Sequence, residues 1–169
     1  MTYKDAVTEE MTWLGKQKDV IFLGEGIINA GRIYGTLDKV PLSKCVEMPI
    51  CENLIVGTAI GLALRNYKPI VIFNFMDFML VAADAIIHHL AAIPRLSGGK
   101  IKLPVIIRTI IGKQGKRFEM GCQHNNDFTH IFKPYISCFE YSVKSYKNQY
   151  KLESPAIIVE RKDDYEKDN

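Results

Sequence analysis

The sequence predicts an α/β domain of three layers, in which a mostly parallel sheet of about six strands is covered by helices. The chain has 169 residues, which is enough for one domain with a hydrophobic core. Short apolar runs alternate along it with longer stretches of helical periodicity. The runs are apolar at consecutive positions, which is typical of strands that are buried on both faces.

The first predicted element is a helix that begins after Thr2 and ends near Gly15. Asp5 and Thr2 have the spacing of a capping box, a pattern that starts many helices. The apolar run 20–23 then predicts the first strand. Gly24-Glu25-Gly26 predicts a loop at the carboxyl end of that strand.

The later elements repeat this alternation. Asn53 is predicted to cap a helix over 54–64, whose small residues suit close packing. Further helices are predicted over 78–92, before Pro94, and over 142–151. The other predicted strands are the apolar runs 45–48, 69–73, 104–108, 136–139 and 155–159.

No internal repeat or linker divides the sequence, so we expect one domain over 1–160. Residues 161–169 are nearly all charged and predict a frayed tail. The net charge of +3 is small and scattered, which argues against a nucleic-acid partner. The longest apolar stretch, 78–93, is interrupted by Asp84 and a histidine pair, so no membrane span is predicted.

The four cysteines form no CxxC pair, and no metal site is predicted in this chain. Cys45 and Cys138 lie in apolar runs and are expected to be small buried side chains. The first residues do not resemble a signal peptide, so a reducing, cytoplasmic location is expected. The sequence also lacks a phosphate-binding P-loop, a dinucleotide-binding glycine motif and a nucleophile elbow, which disfavours ordinary nucleotide-binding and hydrolase functions.

Candidate functional residues lie where the predicted strands end, because sites in parallel sheets form at the carboxyl ends of strands. Three loops there carry Glu25, Glu52 and the segment 111–126. Glu52 precedes an apolar helix, where a carboxylate either has a chemical role or favours the helix start through the macrodipole. Phe78 belongs to an aromatic stretch that is either plain core or a stacking platform for a flat heterocycle. His124, in a polar loop, is either a surface histidine or an acid–base group.

Taken in order, these motifs resemble a known family over nearly the whole chain. The family is the N-terminal, pyrimidine-binding domain of the β subunit of 2-oxoacid dehydrogenase E1 components, which is also the central domain of transketolases. The matching pieces are Phe22-Leu23-Gly24-Glu25, Pro49-Ile50-Cys51-Glu52 with Gly57 and Gly61, the run from Pro69 to Phe78, Ser97-Gly98-Gly99, the run from Leu103 to Arg108, and Gln123-His124.

The resemblance implies that residues 1–160 hold the aminopyrimidine half of thiamine diphosphate. It assigns Glu52 to a hydrogen bond with N1′ of the pyrimidine and Phe78 to stacking on that ring. It implies that His124 faces the substrate and that Glu25 lies near the active centre.

Three departures from the family carry further expectations. Because the chain has no GDG motif, Mg²⁺ and the diphosphate are expected on a second chain, without which this one is inactive. The family's β subunit continues into a C-terminal domain, and this chain ends after the strand over 155–159. The segment 112–120 is longer and more basic than usual, and it either meets an anionic substrate or is a solvated loop.

Two functions remain open at this point. The first is a β-like subunit of a two-chain enzyme, expected to self-associate into a heterotetramer, that decarboxylates or ligates a 2-oxoacid or transfers a ketol unit. Because the C-terminal domain is absent, a lipoyl-linked dehydrogenase is disfavoured within this class. The alternative is a non-catalytic scaffold or regulatory subunit that keeps the fold and the dimer surface, since fold alone does not determine function.

Overall fold

The computed structural model describes residues 1–29, 31–112 and 123–166, and a six-stranded sheet forms its centre. All neighbouring strands pair in parallel, so the predicted fold class is confirmed. In spatial order the strands are β2 (Cys45–Glu47), β1 (Val20–Gly24), β3 (Lys68–Phe73), β4 (Ile106–Ile111), β6 (Ala156–Arg161) and β5 (Ser137–Glu140).

Strand length falls from the middle of the sheet to its edges. The edge strands β2 and β5 have three and four residues, whereas the four inner strands have five or six. Successive side chains of an inner strand point to opposite faces. In β3, Val71 and Phe73 belong to one hydrophobic core, and Ile70 and Ile72 belong to the other.

Helices cover both cores and complete the three layers. The first core is covered by α2 (Glu52–Leu64), the helical segment 76–96, which ends in α3 (Ala92–Leu96), and α4 (Thr129–Phe132). The second is covered by α1 (Tyr3–Gly15), the segment 27–40 and α5 (Ser145–Leu152).

The start of α1 is the predicted capping box. The Asp5 amide donates to Thr2 Oγ1 at 3.1 Å, and the Thr2 amide donates to Asp5 Oδ2 at 3.0 Å. Helix α5 begins three residues later than predicted, at Ser145. The cause is Glu10 of α1, whose carboxylate accepts the amides of Lys144 at 2.8 Å and Lys147 at 2.9 Å and so fixes the first turn.

The predicted start of α2 is wrong by two residues. The helix begins at Glu52 rather than at residue 54, and its N-cap is Cys51, whose side chain makes no cap hydrogen bond, rather than Asn53. A tight turn at the preceding residues, in which the Cys51 amide donates to Pro49 O at 2.7 Å, brings the chain into the helix earlier. Glu52 therefore lies in the first helical turn.

The continuous helix predicted over 78–92 is also wrong. The segment is a 3-10 helix over Met76–Ala82, a π-helical turn over Ala85–Leu90 and then α3. The fully buried residues Met76, Met79 and Ala82 lie three positions apart, which matches the three residues per turn of a 3-10 helix rather than an α-helical stripe.

The loop after β1 contains one turn of left-handed helix over 31–35. Arg32, Ile33 and Tyr34 have φ of 44°, 54° and 57°, and the Gly35 amide donates to Gly31 O at 2.7 Å. This conformation costs roughly 1–2 kcal/mol per non-glycine residue. The Arg32 guanidinium offsets part of that cost by donating to three backbone carbonyls, those of residues 27, 38 and 40.

The interior also holds a charged network that the strand pattern did not predict. Arg108 and Glu160, both fully buried, pair through Nε–Oε1 at 2.9 Å and Nη2–Oε2 at 3.0 Å. The hydroxyls of Tyr146 and Tyr165 also donate to the Glu160 carboxylate. Burial, followed by the charge of Glu160, raises the pKa of both tyrosines well above the ordinary value, so both remain donors.

Tyr165 shows that the predicted frayed tail is wrong for residues 162–166. These residues form a 3-10 helix, Lys162–Glu166, and the Tyr165 side chain is 8% exposed. Its hydrogen bond to Glu160 ties the segment to the core. The domain boundary at residue 160 stays a prediction.

Cys45 and Cys138 are buried free thiols, as predicted, and Cys51 is exposed, while Cys122 lies outside the described residues. Within the described ranges, no single helix is both long and apolar enough to cross a bilayer. The segments Met76–Ala82 and Ala85–Leu96 reach that length only together, and they meet at a bend of 70°.

Candidate functional site

The four candidate residues lie at the carboxyl edge of the sheet, as predicted. Glu25 follows β1, Glu52 opens the helix after β2, Phe78 lies in the 3-10 helix after β3, and His124 follows β4. Glu25, Glu52 and Phe78 line one narrow cleft, together with Asn74 and the core side chains Ile55, Ile72 and Phe73.

Glu52 is 8% exposed and faces this cleft from the first turn of α2. Within the described residues, its carboxylate takes part in no side-chain hydrogen bond or ion pair. Its place in the first turn agrees with the macrodipole interpretation of the sequence. However, its oxygens are not among the fully buried side-chain atoms that lack a partner, so the carboxylate reaches the opening of the cleft and is available to a ligand.

Glu25 and Glu47 extend the negative charge around the cleft. Burial, followed by the charges of Glu52 and Glu47, raises the pKa of Glu25 above its ordinary value. Glu47 ends β2, and its carboxylate accepts the amides of Gly26 and Ile28, the latter at 2.9 Å. Glu47 therefore holds the loop that carries Glu25. Sequence analysis did not find this role, although a carboxylate at the end of a short edge strand was a usable signal.

Close backbone approach sets the position of Glu25. A Cβ atom at Gly24 would lie 2.6 Å from Ile72 O, so only glycine fits at the end of β1. On the other side of the cleft mouth, the Asn74 side-chain amide donates to Glu25 O at 3.4 Å. These contacts keep the ends of β1 and β3 together.

His124 joins the aromatic side chains of the cleft. Its ring packs edge to face on Phe75 at 4.7 Å and on Phe78 at 5.5 Å between centroids. Gly112 makes this possible, since its amide donates to His124 O at 2.9 Å and a Cβ there would lie 2.2 Å from that oxygen. Phe75 is thus a member of the cluster that sequence analysis did not single out.

Two contacts hold the loop after His124 against the 3-10 helix. The Asn126 side-chain amide donates to Asp77 Oδ1 at 2.6 Å, and the Phe128 amide donates to Met76 Sδ at 3.4 Å. The basic segment 113–120 lies outside the described residues. Among those described, no group of three or more histidine, cysteine or acidic side chains is placed to hold a metal ion.

The structure thus combines a parallel sheet, an acidic cleft at its carboxyl edge and an aromatic wall. A family model described as "Transketolase, pyrimidine binding domain" matches residues 1–131. The chain therefore belongs to this family, and the expected resemblance is confirmed.

Curated relatives and solved structures agree with this assignment. The chain is 32% identical over 134 residues to the mitochondrial pyruvate dehydrogenase E1 component subunit beta of Saccharomyces cerevisiae, covering 76% of this chain and 36% of that protein. It is 30% identical over 145 residues to the acetoin:2,6-dichlorophenolindophenol oxidoreductase subunit beta of Cupriavidus necator, covering 78% and 41%. The chain thus spans less than half the length of these relatives.

The fold is also similar to two solved structures. One is a split-gene transketolase, an inactive beta4 tetramer, with a TM-score of 0.71 and 17% identity over 92% of this chain and 50% of that one. The other is the thiamine diphosphate-dependent 4-hydroxybenzoylformate decarboxylase of Rhodococcus jostii RHA1, with a TM-score of 0.62 and 13% identity over 94% and 30%. At these identities the likeness concerns the fold alone.

Proposed function

We propose that this chain binds the aminopyrimidine half of thiamine diphosphate as the β-like subunit of a two-chain enzyme acting on a 2-oxoacid or a ketose. The observation that carries the proposal is Glu52, a mostly buried residue whose carboxylate faces the cleft and has no partner among the described residues. It shares one cleft with Phe78, whose ring packs on His124. A flat ring with hydrogen-bonding nitrogens is the kind of ligand that an acid beside an aromatic wall suits.

The residues present fit this group. The cleft has about 10 Å³ of free space, which is about the volume needed for one water molecule. A pyrimidine ring therefore has to lie across its mouth, in contact with the half-buried Phe78, rather than inside it. This arrangement agrees with a site that is completed by a second protein surface.

Bound thiamine diphosphate supplies a nucleophilic carbon, C2 of its thiazolium ring, and an electron sink. In the proposed mechanism, Glu52 holds a proton at N1′ of the pyrimidine and returns it during turnover. Phe78 orients the ring and excludes water from one of its faces. His124 faces the substrate as an acid–base group, and Glu25 adds negative charge near Glu52.

A second chain is part of the proposal, because the sequence lacks the GDG motif that holds Mg²⁺ and diphosphate. The relatives are β subunits, and the split-gene transketolase of similar fold is a tetramer of β chains. Helix α2 is the proposed contact surface. Its outer face carries the exposed Leu54 and the glycines Gly57 and Gly61, at which an added Cβ atom meets nothing within 4 Å.

The test is Glu52→Gln in the complex assembled with a partner that carries the GDG domain. The variant keeps the shape of the side chain but cannot exchange a proton with N1′. C2–H exchange of bound thiamine diphosphate should fall by about 10²–10⁴-fold, or roughly 3–5 kcal/mol of barrier, with assembly and cofactor binding retained. Glu9→Gln, at an exposed carboxylate of α1, is the matched control and should exchange normally.

Other results would separate the alternatives. If the wild-type complex binds the cofactor without accelerating exchange, the scaffold or regulatory interpretation is favoured. If Glu52→Gln lowers the melting temperature and leaves exchange per folded complex unchanged, the carboxylate is a structural helix-start residue. Isolated from its partner, the chain should bind thiamine diphosphate weakly, and tight Mg²⁺-dependent binding in calorimetry would contradict a divided site.

A further inference from the structure

A second cavity lies beside the candidate cleft and shares Asn74 with it. Its volume is about 200 Å³, twenty times the free space of the cleft. That is below the roughly 300–1,000 Å³ of complete small-molecule sites, yet apolar cavities of about 150 Å³ bind benzene. The cavity can therefore take one end of a ligand. Its walls are Gly26, Gly31, Ile33, Tyr34, Asn74 and Phe75.

The left-handed turn over 31–35 builds one wall of this cavity. It places Ile33, which is 5% exposed, and Tyr34 side by side in a conformation that side chains rarely adopt. Such strain persists only where the surroundings over-determine it, and it is concentrated at ligand sites. Here Arg32 fixes the turn from within, by its three bonds to backbone carbonyls.

The C-terminal segment fixes the same turn from outside. The Tyr34 ring packs on Tyr165 at 5.8 Å between centroids, and Lys162 Nζ lies 3.3 Å from the centre of the Tyr34 ring. Tyr165 is in turn bonded to the buried Glu160. The wall is thus connected through Tyr165 to the fully buried charged network.

The lining indicates the class of ligand. Among its described residues none carries a charge, and Ile33 and Phe75 make much of it apolar. Its polar side chains are the Asn74 amide and the Tyr34 hydroxyl, which has no hydrogen-bond partner among the described residues. One charge of each sign neighbours the lining, Glu25 at the cleft and Lys162 at the Tyr34 ring, so neither an anion nor a cation is favoured. An uncharged group with one or two hydrogen-bonding atoms fits this lining.

We propose that this cavity binds the uncharged, non-reacting end of the substrate and thereby sets substrate selectivity, an inference that rests on the proposed function. Asn74 lines both the cleft and the cavity, and Phe75 lines the cavity and contacts His124. A substrate whose reacting carbonyl lies at the cleft mouth therefore extends its far end towards Tyr34.

The test uses benzamide and benzoate, two probes of nearly the same shape that differ in charge. Calorimetry on the assembled, thiamine diphosphate-loaded complex should show benzamide binding at least about tenfold more tightly than benzoate. Tyr34→Phe keeps the ring contacts and removes the hydroxyl, so it should weaken benzamide binding about fivefold, the usual effect of one neutral hydrogen bond. Tyr67→Phe, at another partly exposed tyrosine, is the control and should not change it.

C2–H exchange of the wild-type complex is measured separately, as the readout of the proposed function. No benzamide binding, benzoate binding as tightly as benzamide, or equal benzamide affinity in the wild type and Tyr34→Phe would each overturn the inference. Absence of exchange in the wild-type complex would instead overturn the proposed function, and the binding comparison would still report on the cavity.

Discussion

Two pairs of glutamates in this chain have opposite surroundings. Glu160 and Glu10, which are 0% and 2% exposed, lie among donors: the first meets Arg108 and two tyrosines, and the second meets a tyrosine and two backbone amides. Glu52 is almost as buried, at 8%, and has no such partner among the described residues, while Glu25 faces two further carboxylates.

The difference separates structural carboxylates from available ones. A buried charge stabilises a fold only when it is paired and hydrogen-bonded, as Glu160 is. Glu52 lacks such partners among the described residues, although the interior of the chain supplies them to two other buried glutamates. At the site edge, the absence of described partners leaves Glu52 available to a ligand, as the proposed function requires.

The largest expected effect on stability is at the buried pair of Arg108 and Glu160. Arg108→Met leaves the Glu160 carboxylate buried without its cation and should lower the free energy of unfolding by about 3–5 kcal/mol. Urea denaturation of the isolated chain measures this loss. Arg65→Met, at the exposed end of α2, should stay within about 0.5 kcal/mol of the wild type. An equally small effect at Arg108 would mean that the pair is not needed for stability.

The same substitution at Glu10 and Glu52 makes the comparison direct. Glu10→Gln loses charge-assisted hydrogen bonds to the start of α5 and should cost about 1.5–3 kcal/mol. Glu52→Gln removes a charge without a described partner and should leave the melting temperature unchanged or raise it. A clear loss of stability in Glu52→Gln would place this residue with the structural carboxylates.

A substitution at a glycine of α2 has a smaller expected effect on stability. Gly61→Leu replaces a helical glycine at an open position and should stabilise the isolated chain by about 0.5–1 kcal/mol, because glycine is a poor helix former. In the presence of the partner it should prevent assembly, which sedimentation measures, since the side chain covers the proposed contact face. Leu64→Ala, on the same helix, controls for loss of apolar surface alone. Normal assembly of Gly61→Leu would place the interface elsewhere.

The smallest expected effect is the pH dependence of stability that arises from Glu25. The pKa of Glu25 is raised in the folded chain, so the folded state binds this proton more tightly than the unfolded state does. Stability is therefore lost as the pH rises from the unfolded-state pKa through the folded-state pKa. Glu25→Gln lacks this loss and should melt slightly higher than the wild type at pH 7, with the difference vanishing near about pH 4. A difference of the same size at both pH values would contradict this origin.

Local patterns in the sequence predicted much of the fold. The capping box at Thr2, the consecutive apolar runs of the strands and the end of α1 depend on neighbouring residues, and all are confirmed. The location of Glu25, Glu52, Phe78 and His124 at one edge followed from the geometry of parallel sheets, whereas their chemical roles stay predictions.

Contacts between distant residues account for what the sequence did not predict. Arg108 and Glu160 are 52 positions apart in the sequence. In its local sequence, each is only a charged residue at the end of an apolar run, so neither pattern predicts the pair. Glu10 shifts the start of α5 from 134 positions away. The 3-10 helix over Met76–Ala82 depends on which side chains the core accepts, and Tyr165 holds the tail only because the buried pair is already formed.

The short edge strands have a consequence for the behaviour of the isolated chain in solution. An exposed strand edge is a template for pairing with other chains, and the hazard grows with its length. Here the sheet ends in strands of three and four residues, which terminate in Glu47 and Glu140. The isolated chain is thereby protected against edge-to-edge aggregation, while the outer face of α2 leaves Leu54 and Leu64 exposed.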